Sequence, residues 1–364
     1  RMLMTIFGVA GSVALLFAGR GILSSLSGIS HRQFGEIVTY DAIVVKEAVM
    51  TGKEQEALRQ LLSTKEIEHY SDVHSETIAT KIAGVHEEQS LTILVGEEAE
   101  LSHYLQLYDA KTKRQKSLTD EGVFLSKKLA QLLNVHEGET VRLPIKDGVT
   151  KDVVVSGIIE MYAGHFMIMS PTVYETLAQE TPTKNASFVS FKEKDADSVR
   201  KMSAQLLAQD GVKAVVQNTS MIHRIETIVG SLSRVMILLT IVSVLLAIVI
   251  LYNLTTINVA ERIRELSTIK VLGFLNREVT LYIYRETMVL SVIGIGVGLL
   301  LGKVLHRVII EAVAPAFVRF NPQVGLDVYI WPCIFIVLIL AVLGILVNHM
   351  LKKVDMLEAL KSVE

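Results

Sequence analysis

The chain has 364 residues, half of them apolar, and a formal net charge of −2. That length allows more than one domain, and neither the charge balance nor any basic block points to nucleic acid. The single cysteine, Cys333, makes no intrachain disulfide and no cysteine-rich metal cluster.

The apolar residues collect in four runs: Met2 to Ala18, Val235 to Leu254, Thr287 to Gly302 with apolar extensions, and Tyr329 to Leu351. Twenty helical residues rise about 30 Å, the thickness of a bilayer core. The second and fourth runs meet that requirement. The third is shorter and leaves Lys303 and Arg307 to reach the surface. The first has two readings, a secretory signal or a membrane span. No short polar cleavage region follows it, and Gly8, Gly11 and Gly19 suit close helix packing, which favours the span. The start at Arg1 gives the expectation that the natural N-terminus lies upstream.

Between the first and second runs the pattern reads as mixed α/β. Asp41 to Val45, Thr92 to Val95, Thr140 to Leu143 and Asp152 to Ile159 read as strands, the last two flanking a Lys146-Asp147-Gly148 turn. Helices are predicted at Lys53 to Leu62, Ser126 to Leu133, Pro171 to Gln179 and Ala196 to Gln209. The basic run Lys111 to Lys116 reads as the cap of a hairpin, either solvated or able to bind an anionic envelope polymer. Ser220 to Ser233 reads as a helix entering the second span, with Ile222, Ile225, Ile228, Val229 and Leu232 on one side. Such a helix would be a stalk between membrane and exterior domain.

Beyond the second run, Val259, Ile263, Leu266, Ile269 and Leu272 recur at helical spacing. Glu261, Arg262, Glu265 and Thr268 fall largely on the other side, and Gly273 can take the left-handed conformation that ends a helix. Periodicity alone allows a solvated connector or a handle on which a cytosolic partner pushes. Arg262, Arg264, Lys270, Arg277 and Arg285 lie between the second and third runs, and Lys352, Lys353 and Lys361 in the tail. The third and fourth runs are joined with only Arg319 after Arg307. Positive-inside counting therefore puts the charged segment and the C-terminus in the cytosol and residues from about 30 to 220 outside. Glu286 either pairs with Arg262 or Arg264 or stands in interfacial water. Gly294, Gly298 and Gly302 repeat every four residues on one helix face, which suits close approach of another span better than a dinucleotide fingerprint.

The chain has no phosphate loop, no His-Glu-x-x-His pair and no nucleophile elbow. The histidines, His69 and His74 among them, read as scattered surface residues. The apolar runs carry too few ionisable groups for an ion relay.

The strings Glu261-Arg262-Ile263-Arg264-Glu265-Leu266 and Ile269-Lys270-Val271-Leu272-Gly273-Phe274 resemble the coupling-helix signature of the FtsX/MacB-like family of ABC transporter permeases. The tail with Asp355, Glu358, Ala359 and Leu360 resembles that family's closing motif, and residues 122–130 and 133–141 are similar to its core external subdomain. The resemblance implies an α-helical membrane protein with four transmembrane helices and a large α/β extracytoplasmic domain inserted between helices 1 and 2. The expected layout is a first span and exit at 1–29, the domain at 30–219, and stalk and second span at 220–258. A coupling helix at 259–275, a third span at 276–310, a short exterior loop at 311–327, a fourth span at 328–351 and a tail at 352–364 follow.

The resemblance further implies a non-catalytic bacterial cell-membrane subunit. A separate cytosolic ATPase dimer would bind ATP and Mg and seat the segment from Glu261 to Gly273. A second permease unit would complete the assembly, as a homodimer or as the other half of a longer chain, since Leu251 to Asn258 resembles the longer Gram-positive permeases. Movement passed outward, termed mechanotransmission, would export or extract a hydrophobic peptide, lipid or lipoprotein. The alternative is a signalling scaffold that activates a cell-wall hydrolase or senses antimicrobial peptides, with an exterior adaptor, hydrolase or peptide as partner. Membrane lipid surrounds the spans in either case.

Overall fold

The computed structural model describes residues 2–26, 28–82, 87–262, 265, 268–269, 272–320 and 324–353. In chain order its main elements are α1 (Met2–Leu26), β1 (Ala42–Lys46), α2 (Gly52–Leu62), β2 (Ile67–Thr80), β3 (Gln89–Val95), β4 (Val123–Ser126), α3 (Lys127–Leu133), β5 (Thr140–Lys146) and β6 (Val149–Ile159). There follow β7 (His165–Met169), α4 (Pro171–Ala178), β8 (Ala186–Phe191), α5 (Ala196–Leu207), β9 (Val212–Gln217), α6 (Asn218–Glu261), α7 (Asn276–Val313) and α8 (Leu326–Lys353). They form two compact units. The helical unit takes Arg1–Ser27, Val229–Val313 and Asn321–Glu364, and the inserted domain takes Gly28–Ile228 with Ala314–Phe320.

In the helical unit, stretches of α1, α6, α7 and α8 are long and apolar enough to cross a membrane. Helices suit this solvent because they satisfy every backbone polar group internally. The most extensive packing joins α1 to α7. A methyl group at Gly294 would stand 2.8 Å from Val9 Cβ, at Gly298 2.6 Å from Val13 Cβ, and at Gly302 2.7 Å from Phe17 Cβ. The four-residue repeat on α7 thus meets a four-residue repeat on α1. Gly8 and Gly19 of α1 approach Ile250 and Thr240 of α6 just as closely. Gly11, expected to pack likewise, meets nothing within 4 Å. Val9, Val13, Ala247, Leu251, Ile336 and Leu343 form the unit's buried cluster.

The third span is longer than its apolar run, because α7 continues past Gly302 to Val313 with Lys303 and Arg307 exposed. His306, on the other face, is buried and its Nε2 lies 3.0 Å from the Ser25 hydroxyl. His74 and His165 are buried in the inserted domain. The expectation of scattered surface histidines fails at these three positions, because each ring is taken up by a neighbouring element.

The inserted domain is built on a nine-stranded mixed sheet in the order β5-β6-β4-β7-β3-β2-β8-β1-β9. β2 changes partner midway: Ile67 to Val73 pair with β8, and His74 to Thr80 pair with β3. That switch divides the domain into two lobes. In one, α2 and α5 cover a core of Ala42, Val44, Leu58, Val189 and Leu206. In the other, α3 and α4 cover Leu91, Ile93, Leu125, Leu143, Met167 and Tyr174. Local chemistry sets the helix starts. Thr51 and Glu54 form a reciprocal capping box on α2, and Ser170 caps α4 ahead of Pro171.

The glycine contacts give a stability test. Gly298→Val is expected to force α1 and α7 apart at a cost of about 1–3 kcal/mol, lowering the thermal midpoint of the full chain in detergent. Gly296→Ala, which meets open space, is expected to leave the midpoint unchanged.

Candidate functional site

Two regions gather functional side chains, one in each unit. In the helical unit, α6 ends at Glu261, and the next residue, Arg262, donates from Nη2 to Glu286 Oε2 of α7 at 2.6 Å. Of the two partners open to Glu286, Arg262 meets it, and Arg264 lies outside the described residues. Both side chains are about one-third exposed, so the pair adds at most about 1 kcal/mol and acts mainly to fix direction. Val259 and Val279 are buried beside it, with Ile269 partly buried in the same cluster.

Glu265, Thr268 and Ile269 are helical, and the chain turns at Gly273 with a φ of 96°, a conformation that side chains resist. The Glu278 carboxylate then accepts from the Leu275 N–H at 2.9 Å as α7 begins. Leu272, assigned by periodicity to the apolar stripe, is 72% exposed. It belongs to the turn and stands with the exposed Phe274 and Leu275. This apolar tip was not singled out from the sequence, since its residues lie past the helical repeat. Ile263, Arg264, Leu266 and Lys270 lie outside the described residues, as do Asp355, Glu358, Ala359 and Leu360 of the tail. Gly294, Gly298 and Gly302 sit against α1, as given above.

In the inserted domain, residues 158–164 bind three distant stretches of chain. Toward the segment after α1, buried Gln33 accepts from the Tyr162 N–H at 2.8 Å, and Arg32 Nη2 donates to Glu160 Oε2 at 3.1 Å. Toward the basic loop, Ala110 N–H donates to the Ile158 carbonyl at 2.9 Å, and Lys113 Nζ lies 2.5 Å from Glu160 Oε1. Toward the connection between α7 and α8, Gly164 N–H donates to the Phe317 carbonyl at 2.8 Å and Arg319 N–H to the Tyr162 carbonyl at 2.7 Å. Val318 is buried there.

Glu160 itself is fully buried and also accepts from the Tyr162 hydroxyl. Burial would raise its pKa, but hydrogen bonds from Lys113, Tyr162 and Arg32 outweigh that and hold it below the ordinary glutamate range. Asp109 organises the loop by accepting from the Lys111 and Thr112 N–H groups at 2.9 and 2.6 Å. Its carboxyl, raised by burial but lowered more by the bonds from Thr112, Lys111 and Lys116, falls to about 2. The run Lys111 to Lys116 turns the chain at the antiparallel bridge between Tyr108 and Gln115, and Lys111 to Gln115 are exposed. Lys113 and Lys116 are committed to Glu160, Glu137 and Asp109. Among the described residues, no group of three or more His, Cys, Asp or Glu could hold a metal ion.

Four helices long and apolar enough to cross a membrane, with an α/β domain inserted after the first, describe the class: a multi-pass membrane protein. Residues 237–348 match the family model described as FtsX-like permease C-terminal, in line with the resemblance read from Glu261 to Phe274. No curated protein sequence matches the chain.

Among solved structures it is similar to the periplasmic region of MacB from Actinobacillus actinomycetemcomitans, at 12% identity and a TM-score of 0.29, over 52% of this chain and 94% of that one. It is also similar to the extracellular domain of the noncanonic ABC-type transporter YknZ from Gram-positive bacteria, at 15% identity and a TM-score of 0.27, over 49% of this chain and 98% of that one. Neither likeness is close enough to say what this chain binds.

Glu160→Gln is expected to remove the buried acceptor shared by Arg32 and Lys113, with Arg32 keeping its pair with Glu36, and to destabilise the inserted domain by about 1–3 kcal/mol. The pH dependence carries a matching sign. A carboxylate with a depressed folded pKa contributes fully above its unfolded value and loses that contribution as pH falls through the folded one. Acid unfolding of the parent should therefore include a step below the ordinary glutamate range, and thermal melts against pH should lack that step in Glu160→Gln.

Proposed function

We propose that the chain is the transmembrane subunit of an ABC transporter that converts ATP hydrolysis by a separate cytosolic ATPase dimer into movement of its inserted domain. The work done is export or extraction of a hydrophobic peptide, lipid or lipoprotein. The observation that carries this reading is α6, unbroken over 44 residues from Asn218 to Glu261. At 1.5 Å per residue it measures about 66 Å, more than twice a bilayer core. A helix bends most readily at proline, a glycine–serine pair or a bulge. α6 holds no proline, and its pair Gly230-Ser231 is the softest point along it, so a tilt imposed where Glu261 and Arg262 meet the ATPase would pass toward Asn218 through that pair.

The basic residues around the coupling segment support its cytosolic side, and so an extracytoplasmic inserted domain. The exposed tip of Leu272, Phe274 and Leu275, flanked by Glu261, Arg262 and Glu265, suits a partner groove that takes an apolar turn with a charged rim. ATP and Mg belong to that partner, and this chain is asked for no catalysis. A second permease unit, identical or the other half of a longer chain, completes the pair around the ATPase. The exposed apolar face of α6, from Ile237 through Leu245 to Val249, is available to that unit or to lipid.

Two variants separate seating from transmission. Glu261→Lys with Glu265→Lys reverses charge at the seat and is expected to lower ATPase stimulation in lipid nanodiscs about tenfold, which corresponds to about 1.4 kcal/mol of lost coupling. Ser231→Pro breaks α6 at a cost of about 3 kcal/mol. It is expected to leave the complex and basal hydrolysis intact while abolishing the ATP-dependent change in spin-label distance between paired inserted domains. If both variants hydrolyse and move as the parent does, the reading is wrong.

A further inference from the structure

The long strand β2 has a free edge in the middle of the sheet. Its pairing with β8 ends at Val73, opposite Ala186, while its pairing with β3 runs on to Thr80. From His74 onward β2 therefore has a neighbouring strand on one side only. The side chain of Asn185, just ahead of β8, covers the first rung of the open side. Its Oδ1 accepts from the Ser75 N–H at 2.8 Å, and its Nδ2 donates to the Ser75 carbonyl at 3.1 Å. Ser75 thus turns its backbone groups away from β3. The ladder with β3 continues to Thr80 without a register shift, and backbone groups alternate sides along a strand, so those of Thr77 and Ala79 point the same way. Both residues are exposed, and among the described residues neither forms a hydrogen bond on that side.

Open edges are ordinarily blunted by charge or proline. The sheet's two outer strands follow that rule, with Arg142, Pro144 and Lys146 on β5 and Lys213 on β9. Thr77 and Ala79 offer neither. Space lies along their edge. A cavity of about 1080 Å³ reaches Ser75 and Thr77 and is lined also by Tyr70, Arg59 and Glu56. A second, of about 560 Å³, reaches Ala79 and is lined by Pro144 and Gly148 of the β5–β6 hairpin. Arg59 and Glu56 give the first cavity charge of both signs, so it favours neither an acidic nor a basic ligand.

We propose that the edge of β2 at Thr77 and Ala79 binds an extended polypeptide segment of a partner, which adds to β2 as a further strand. A row of outward N–H and C=O groups is matched by the same groups of another chain at a strand spacing of about 4.8 Å. Asn185 already places one amide in that role. Alternate side chains of the incoming strand find room in the two cavities. The inference concerns the inserted domain alone and is independent of ATPase coupling.

The test adds a capped, fluorescein-labelled heptapeptide of alternating threonine and valine to the full chain in neutral detergent and reads anisotropy. Saturable binding is expected, weakened about tenfold or more when every peptide amide is N-methylated, which removes the donors and keeps the side chains. Thr77→Pro deletes the outward N–H at a place where a strand edge tolerates proline, and should weaken binding as much while leaving the β2–β3 ladder intact. Hydrogen exchange supplies a measurement that needs no variant. The Thr77 and Ala79 amides should exchange quickly in the free chain, those of Glu76 and Ile78 slowly, and the peptide should protect the first pair. No saturable binding, or binding indifferent to N-methylation or to a folded Thr77→Pro, overturns the site. Protection of Thr77 and Ala79 without peptide also overturns it, and where that protection is lost on dilution the occupant is a second copy of this chain.

Discussion

The close approach of α1 and α7 is the constraint on which the helical unit depends. Inside a bilayer, apolar side chains gain nothing by leaving lipid for protein, so helices hold together through van der Waals contact and a few hydrogen bonds. Gly294, Gly298 and Gly302 let Val9, Val13 and Phe17 settle against bare backbone. With α1 fixed on α7, its other glycines, Gly8 and Gly19, receive α6. Ser25 and His306 add a polar contact along the same seam. The rod that would carry movement is thus seated on a firmly packed pair.

The two functional regions use charge differently. Arg262 and Glu286 are partly exposed, and water screens them, so their value lies in orienting the chain where it leaves α6. Glu160 is sealed from water, where every unpaired charge is costly, and its bonds reach Arg32 and Lys113 on two separate stretches of chain as well as Tyr162 on its own. The first can shift with a partner at little cost. The second holds its surroundings in one arrangement.

Much of the architecture was legible in the sequence because membranes demand length and apolarity, which hydropathy reads directly. The row of glycines in α7 was legible for a related reason: four-residue spacing defines a helix face before any partner is known. β2 was not. Val73 and His74 are both buried where the strand passes from β8 to β3, so the alternation that marks a strand breaks at its centre. β8 hid for another reason. All six of its residues are buried, yet two are serines, one of them bonded to Asp72 at 2.5 Å, so it never reads as an apolar run. The Glu160 cluster leaves no local signature, since Arg32, Lys113, Glu160, Tyr162 and Arg319 meet only through tertiary structure. The basic loop was visible as charge, but its counterions were not.

Residues 314–320 join two spans yet belong to the inserted domain. The domain is therefore leashed to the helical unit by four covalent junctions, near residues 27, 228, 313 and 320. Chain connectivity therefore ties the inserted domain to the third and fourth spans as well as to the first and second.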